Sequence, residues 1–135
     1  MARRLILDTN ALIAYVRGAF DTTVLDDDDL AIAAVTVAEF RVGIELAATA
    51  AQAATRSRVL DAVLSAITVL DYTERTAAEH ARLLAHTRRA GAPRGAHDLI
   101  IAAHAAEDGR GVVSLDAQAH FGNLPGVTTV QPSAG

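Results

Sequence analysis

Four times along this chain a short apolar run ends at a polar residue and gives way to helical spacing, and that alternation limits the fold more than any other feature. Leu5-Ile6-Leu7 stops at Asp8, Thr9 and Asn10. Ala11, Leu12, Ala14, Tyr15 and Val16 then take up a helical period that Gly18 ends. Leu30 to Val35 leads into Thr36 and a long alanine-rich helical region, expected to break and restart between Thr49 and Arg58. Ala66 to Leu70 precedes a helix over Thr73 to Arg89. Gly91-Ala92-Pro93-Arg94-Gly95 reads as a loop, after which Asp98 opens a helix over Leu99 to Ala106 that Gly109 closes. Gly111 to Leu115 is a fourth strand ended by Asp116, followed by a helical turn around Ala117 to Phe121, a Leu124-Pro125-Gly126 turn and a last strand, Val127 to Val130. Strands joined through helices close as right-handed crossovers. The pattern therefore predicts an α/β fold, with a mainly parallel central sheet flanked by helices on both faces.

With 135 residues, 51% of them hydrophobic, and neither an internal repeat nor a linker, the chain is expected to form a single domain over 1–135. No apolar run reaches the roughly 18 residues of a membrane span. Arg3 and Arg4 lead straight into Leu5-Ile6-Leu7-Asp8, where a signal peptide's apolar region would be interrupted, so a cytoplasmic protein without a membrane partner is expected. The absence of cysteine excludes disulfides, thiolate metal sites and thiol nucleophiles. All 12 basic residues are arginine, which closes Schiff-base chemistry and the phosphate-binding P-loop. The net charge of −4 runs against nucleic-acid binding. If four acids form one metal site, however, the twelve arginines face only twelve remaining acids, and bound cations neutralise the site itself.

Those four acids are Asp8, Glu39, Asp98 and Asp116. Asp8 ends the first strand, Glu39 is read in the first helical turn after the second, Asp98 begins the helix that feeds the fourth, and Asp116 ends that strand. In open α/β sheets such positions converge outside the carboxyl ends of the strands. Each acid taken singly also reads as a helix cap, and Thr36-Val37-Ala38-Glu39 has the form of a capping box. Together they form a cluster of like charges that needs counter-cations or protonation. An all-oxygen donor set suits Mg²⁺ or Mn²⁺ rather than zinc. The reaction such a site favours is attack of activated water on a phosphodiester, leaving 5′-phosphate and 3′-hydroxyl ends. Asp8, Asp98 and Asp116 would be the main ligands, with Glu39 ligating directly, holding a water, or acting as base.

Leu5-Ile6-Leu7-Asp8-Thr9-Asn10-Ala11-Leu12, Thr36-Val37-Ala38-Glu39-Phe40-Arg41-Val42-Gly43, His97-Asp98-Leu99-Ile100-Ile101-Ala102-Ala103, and Ser114-Leu115-Asp116 through Phe121 to Pro125-Gly126-Val127 resemble, in order, the successive motifs of the VapC group of PIN-domain proteins. The resemblance runs from residue 5 to 127. It implies a PIN-like fold and a Mg²⁺- or Mn²⁺-dependent endoribonuclease toxin acting on RNA, commonly a homodimer. Its inhibitor would be a cognate VapB-type antitoxin whose C-terminal segment occupies the active-site groove. The family's acids carry over to Asp8, Glu39, Asp98 and Asp116, with Thr9 and Asn10 as supporting polar groups. Ser114 stands where the family often has threonine, and the hydroxyl is kept.

The alternatives are a housekeeping PIN nuclease in RNA processing, against which the short undecorated chain speaks, and an inactive PIN binding module, against which the four acids speak. A receiver domain or a haloacid-dehalogenase-like phosphatase would need paired acids and a lysine. A Rossmann module would need a glycine-rich turn where Asp8-Thr9-Asn10 stands.

Other features receive plainer readings. Asp26 to Asp29 reads as a solvated acidic turn. His97 and His104 lie about 10 Å apart by helix rise, too far for one ion, and read as structural or surface groups, with His97 placed to touch substrate. Arg41 and Arg94 flank the acids as phosphate contacts or as surface ion pairs. Apolar positions along Ala47 to Leu64 read either as core or as a partner-binding face.

Overall fold

The alternation of apolar side chains along the strands puts helices on both faces of one sheet. The computed structural model describes residues 2–115 and 121–132. Within them, β1 (Arg4–Leu7), β2 (Asp29–Ala33), β3 (Thr68–Leu70), β4 (Gly111–Val113) and β5 (Thr128–Val130) form one sheet in the order β3-β2-β1-β4-β5, with every neighbouring pair parallel. Successive strand residues point to opposite faces. Leu5, Leu7, Ile32 and Val113 accordingly join one buried cluster with Leu12 and Val63, while Ile6, Ala33 and Val112 join another with Leu83, Leu99 and Phe121. Apart from Phe121, these partners come from α1 (Thr9–Arg17), α3 (Ala50–Ala66), α4 (Glu74–Ala90) and α5 (Ala96–Asp108), and α2 (Ala34–Glu45) adds the partly buried Val35, Val37 and Phe40. Among the described residues no helix is long and apolar enough to cross a membrane.

The strand order places the functional edge. The chain moves outward from β1 through β2 to β3, then returns to pair β4 with the other side of β1. That reversal opens a crevice at the carboxyl ends of β1 and β4, the position where open parallel sheets take ligands. Asp8 sits in it directly, its backbone N–H donating to the Val113 carbonyl at 3.1 Å.

Several boundaries differ from expectation for identifiable reasons. The helix after β2 starts at Ala34, because Ala33 already acts as N-cap in extended conformation with no side-chain cap bond. Thr36 and Glu39 are therefore the third and sixth residues of α2. The capping-box reading is wrong, and Glu39 lies in the second helical turn. The break in the alanine-rich region falls at residues 46–49, earlier than expected, where Thr49 accepts a hydrogen bond from Gln52 N and starts α3. That helix runs through Ala66, so β3 begins only at Thr68. Gly95 rather than Asp98 is the N-cap of α5, and β4 ends at Val113. Gly18 and Gly109 end α1 and α5 in the left-handed conformation, as their spacing predicts. Asp116 and residues 117–120 of the expected helical turn lie outside the described residues.

Asp26 to Asp29 is only half a solvated turn. Asp26 and Asp27 are exposed. Asp28 pairs with Arg3 at 2.7 Å, and Asp29 lies 3.2 Å from the Arg110 guanidinium. The Arg110 side chain is 5% exposed and also pairs with Asp108 at 2.7 Å, while Arg4 reaches Asp108 at 2.9 Å. These groups tie together the ends of β1, β2 and β4 opposite the crevice, and α5 feeds directly into this network.

His104, in the second half of α5, is buried, with Nε2 lacking a hydrogen-bond partner among the described residues and the Tyr72 ring edge-on to it at 6.4 Å. Burial lowers its pKa from the ordinary 6.5, and the charges of Glu107, Asp108 and Asp71 offset this only in part. A depressed folded-state value means that the native state binds fewer protons than the unfolded one, so the stabilisation is present above 6.5 and lost as pH falls through the folded value. His104→Leu is expected to flatten the decline of melting temperature below pH 6.5. An unchanged profile would mean that water or another donor already satisfies the ring.

Candidate active site

Asp8 is 4% exposed, and a buried carboxylate needs compensation. Part of it comes from α1: Asp8 is the N-cap, and its Oδ1 accepts from Ala11 N at 2.8 Å. Asp8 is thus both a cap and a group held at the crevice, so the two readings of this residue are compatible.

The next residue links it to α2. Thr9 Oγ1 donates to Glu39 Oε1 at 2.8 Å and lies 3.5 Å from the hydroxyl of the buried Thr36. Thr36, freed from any capping role, lines the inner side of this contact instead. Glu39 is also met from α5, where His97 Nδ1 lies 3.1 Å from the same Oε1. One carboxylate oxygen is therefore gripped by groups that begin α1 and α5.

Asp98 follows His97 in the first turn of α5. Its Oδ2 lies 3.4 Å from where a Cβ on Gly95 would stand, so the carboxyl folds back over the start of the helix. Neither α2 nor α5 has a side-chain cap bond, whereas α1, α3 and α4 do. Helix N-termini carry partial positive charge, which favours nearby carboxylates and anions.

The sequence-derived residues Thr9 and Glu39 are thus joined by a hydrogen bond, Asp8 precedes Thr9 in the chain, and Asp98 follows His97, which meets the same Glu39 oxygen. Asn10 is exposed on the first turn of α1. Ser114 is buried just beyond β4. Asp116 lies outside the described residues, among which no group of three or more acids and histidines meets a metal-binding arrangement. Sequence reasoning undervalued His97. A histidine directly before an acid of the site was the available signal, but its partner lies on another helix and no local pattern names it.

Glu39 also borders a cavity of about 430 Å³ between α1, α2 and α3, with Ile13, Val16, Phe40 and Val59 as its apolar lining and Arg17 and Arg56 at its charged margin. The apolar stretch Ala47 to Leu64 divides accordingly. Leu60 and Val63 are buried, while Val59 faces the cavity.

Comparison with known proteins bears on the fold that carries these residues. Among curated proteins none matches the chain. Solved structures similar to it include VapBC2 from Rickettsia felis bound to a promoter DNA fragment, at 19% identity over 95% of this chain and 98% of that one, TM-score 0.83. DNA-bound VapBC from Salmonella typhimurium is similar at 25% identity over 97% and 98%, TM-score 0.83. VapBC-5 from Mycobacterium tuberculosis, a member of a family of toxin-antitoxin systems, is similar at 29% identity over 95% and 98%, TM-score 0.78. The model of the PIN domain matches residues 5–125, a stretch that contains all four acids, and the chain belongs to the PIN domain family.

Proposed function

We propose that this PIN domain, taken as one unit over residues 1–135, is a metal-dependent endoribonuclease toxin of the VapC type, restrained in the cytoplasm by a cognate antitoxin. The observation that carries this reading is the grip on Glu39 Oε1 by Thr9 at 2.8 Å and His97 at 3.1 Å, at the edge where Asp8 ends β1. A carboxylate held from two elements beside a second, buried carboxylate is arranged for a task that needs fixed negative charge.

The donor set is all oxygen from carboxylates, which fits Mg²⁺ or Mn²⁺, and Asp8, Asp98, Asp116 and Glu39 are the residues that would hold the ion. When bound, such an ion supplies the positive charge that eases deprotonation of water and offsets charge on a phosphodiester undergoing in-line attack. The protein's own groups have distinct parts. Thr9 and His97 hold one oxygen of Glu39, so its other oxygen is directed rather than free to rotate, and it can orient or accept a proton from the attacking water. Asp8 is fixed by its cap bond to Ala11. The His97 side chain is 53% exposed, so its ring also faces solvent or substrate.

The apolar cavity beside Phe40, which opens next to Glu39, suits the antitoxin segment, since a helix or extended peptide seated there would also cover the carboxylates. The similarity to VapBC complexes supports a partner of that kind. A homodimer is part of the same reading, and Val42 on α2 and Leu46 just after its end, 53% and 77% exposed, offer it apolar area.

Controlled expression of the wild type and of Asp98→Asn in a bacterial host, with mapping of new RNA 5′-phosphate ends, tests the proposal. Growth arrest with a few defined cleavage sites, both lost in the variant, is the expected result. Arrest that persists unchanged in Asp98→Asn would exclude hydrolysis as the cause. Cleavage without arrest would favour RNA processing.

A further inference from the structure

Ion pairing removes charge from one end of this molecule and leaves it at the other. At the amino-terminal edge of the sheet, Arg3, Arg4 and Arg110 are matched by Asp28, Asp29 and Asp108. At the carboxyl edge, α4 ends with Arg88 and Arg89, and among the described residues neither has a carboxylate partner. Both offset the negative end of the α4 dipole, and Arg88 also lines a cavity that Arg89 does not line.

That cavity, about 310 Å³, lies where the end of α4, the loop 91–95 and the start of α5 meet. Leu84, Pro93 and Leu99 supply apolar walls, Arg88 and Arg94 supply positive charge, and among the described residues no acid lines it. It adjoins the candidate active site. Leu99 follows Asp98 directly, and Arg94 precedes Gly95, over which the Asp98 carboxyl is folded.

An unstacked nucleobase needs such surroundings: apolar or planar groups against its faces and a cation for the phosphate attached to it. The geometry points to a base-binding subsite, in which the Leu84-Pro93-Leu99 cavity takes one splayed base of single-stranded RNA beside the phosphodiester at the carboxylates, and Arg88 stacks on that base or holds its phosphate. The inference rests on the nuclease reading of the neighbouring acids and adds where sequence preference arises. An acidic peptide is the poorer occupant, because it would be held by charge alone and would respond to Arg88 and Arg89 alike.

Equilibrium binding separates this claim from the catalytic one, because it needs no cleavage. Fluorescently labelled single-stranded oligoribonucleotides of A, C, G or U are titrated with the protein in EDTA at low salt, using the wild type, Arg88→Ala and Arg89→Ala. The two variants lose the same charge from adjacent exposed positions, so general electrostatics affects them equally. One homopolymer is expected to bind the wild type best. Arg88→Ala should weaken it about tenfold and level the four affinities, while Arg89→Ala changes them less than about threefold. Equal weakening by both variants, equal affinity of the wild type for all four oligonucleotides, or no binding at all would overturn the subsite. Cleavage assays with Mg²⁺ are then read separately. Selective binding without cleavage defeats the nuclease reading and keeps the subsite, whereas cleavage with uniform binding does the reverse.

Discussion

Asp8→Asn is expected to reduce RNA cleavage by about 10³-fold while leaving the metal-free fold at least as stable as the wild type. The expectation follows from the two tasks of this side chain. As N-cap, Asp8 needs only an oxygen that accepts from Ala11 N at 2.8 Å, and asparagine supplies one with equal cap preference. As a fixed charge in the crevice it has no substitute, since the amide is neutral and a weak ligand for a hard cation. The buried position also means that loss of the charge removes a desolvation cost. Single-turnover cleavage and melting temperature, measured on the same preparation, separate the tasks. Lost cleavage at unchanged melting temperature supports the assignment. Retained cleavage would make Asp8 a cap and nothing more.

The largest effect on stability is expected at the other end of the sheet. Arg110 Nη1 donates to the carbonyls of Leu5 and Asp29 at 3.1 and 3.0 Å, and Nε donates to Asp108 at 2.7 Å. Arg110→Met keeps the aliphatic bulk but strands two carbonyls and two carboxylates. Removing one partner of a buried ion pair costs about 3–5 kcal/mol, and because Asp29 and Asp108 remain partly exposed the lower figure applies. Burial tends to raise the Asp108 pKa, but hydrogen bonds and charge from Arg110 and Arg4 outweigh it and the net shift is downward. Its contribution is therefore present above the ordinary 3.8 and is lost as pH falls through the folded value. Urea denaturation at neutral pH should show the full loss. A change under about 1 kcal/mol would mean that water replaces the guanidinium at little cost.

Local rules made part of this molecule legible in the sequence. The strands announce themselves because apolar runs end at polar residues, and Gly18 and Gly109 announce helix ends because a left-handed residue is needed there. The parallel sheet follows from the alternation, but its order does not, since nothing local says that β4 returns to pair with β1. The capping-box form at Thr36 and Glu39 misled because α2 already starts at Ala34, which puts both residues inside the helix, where they meet Thr9 instead. Arg110 joins groups far away in sequence, and no motif signals that its guanidinium would be buried. His97 belongs to the same class, since its partner Glu39 is on another helix.

On the proposed reading, carboxylates at the carboxyl edge of the sheet support metal-dependent hydrolysis of RNA. Incubating the purified protein with a defined single-stranded RNA in EDTA, then with Mg²⁺ or Mn²⁺ restored, and identifying the product ends, tests it most directly. Cleavage that stops in EDTA, returns with either ion and leaves 5′-phosphate ends is the predicted result. Cleavage that ignores EDTA, or that leaves 2′,3′-cyclic phosphates, would mean that the RNA's own hydroxyl does the chemistry and would contradict the account.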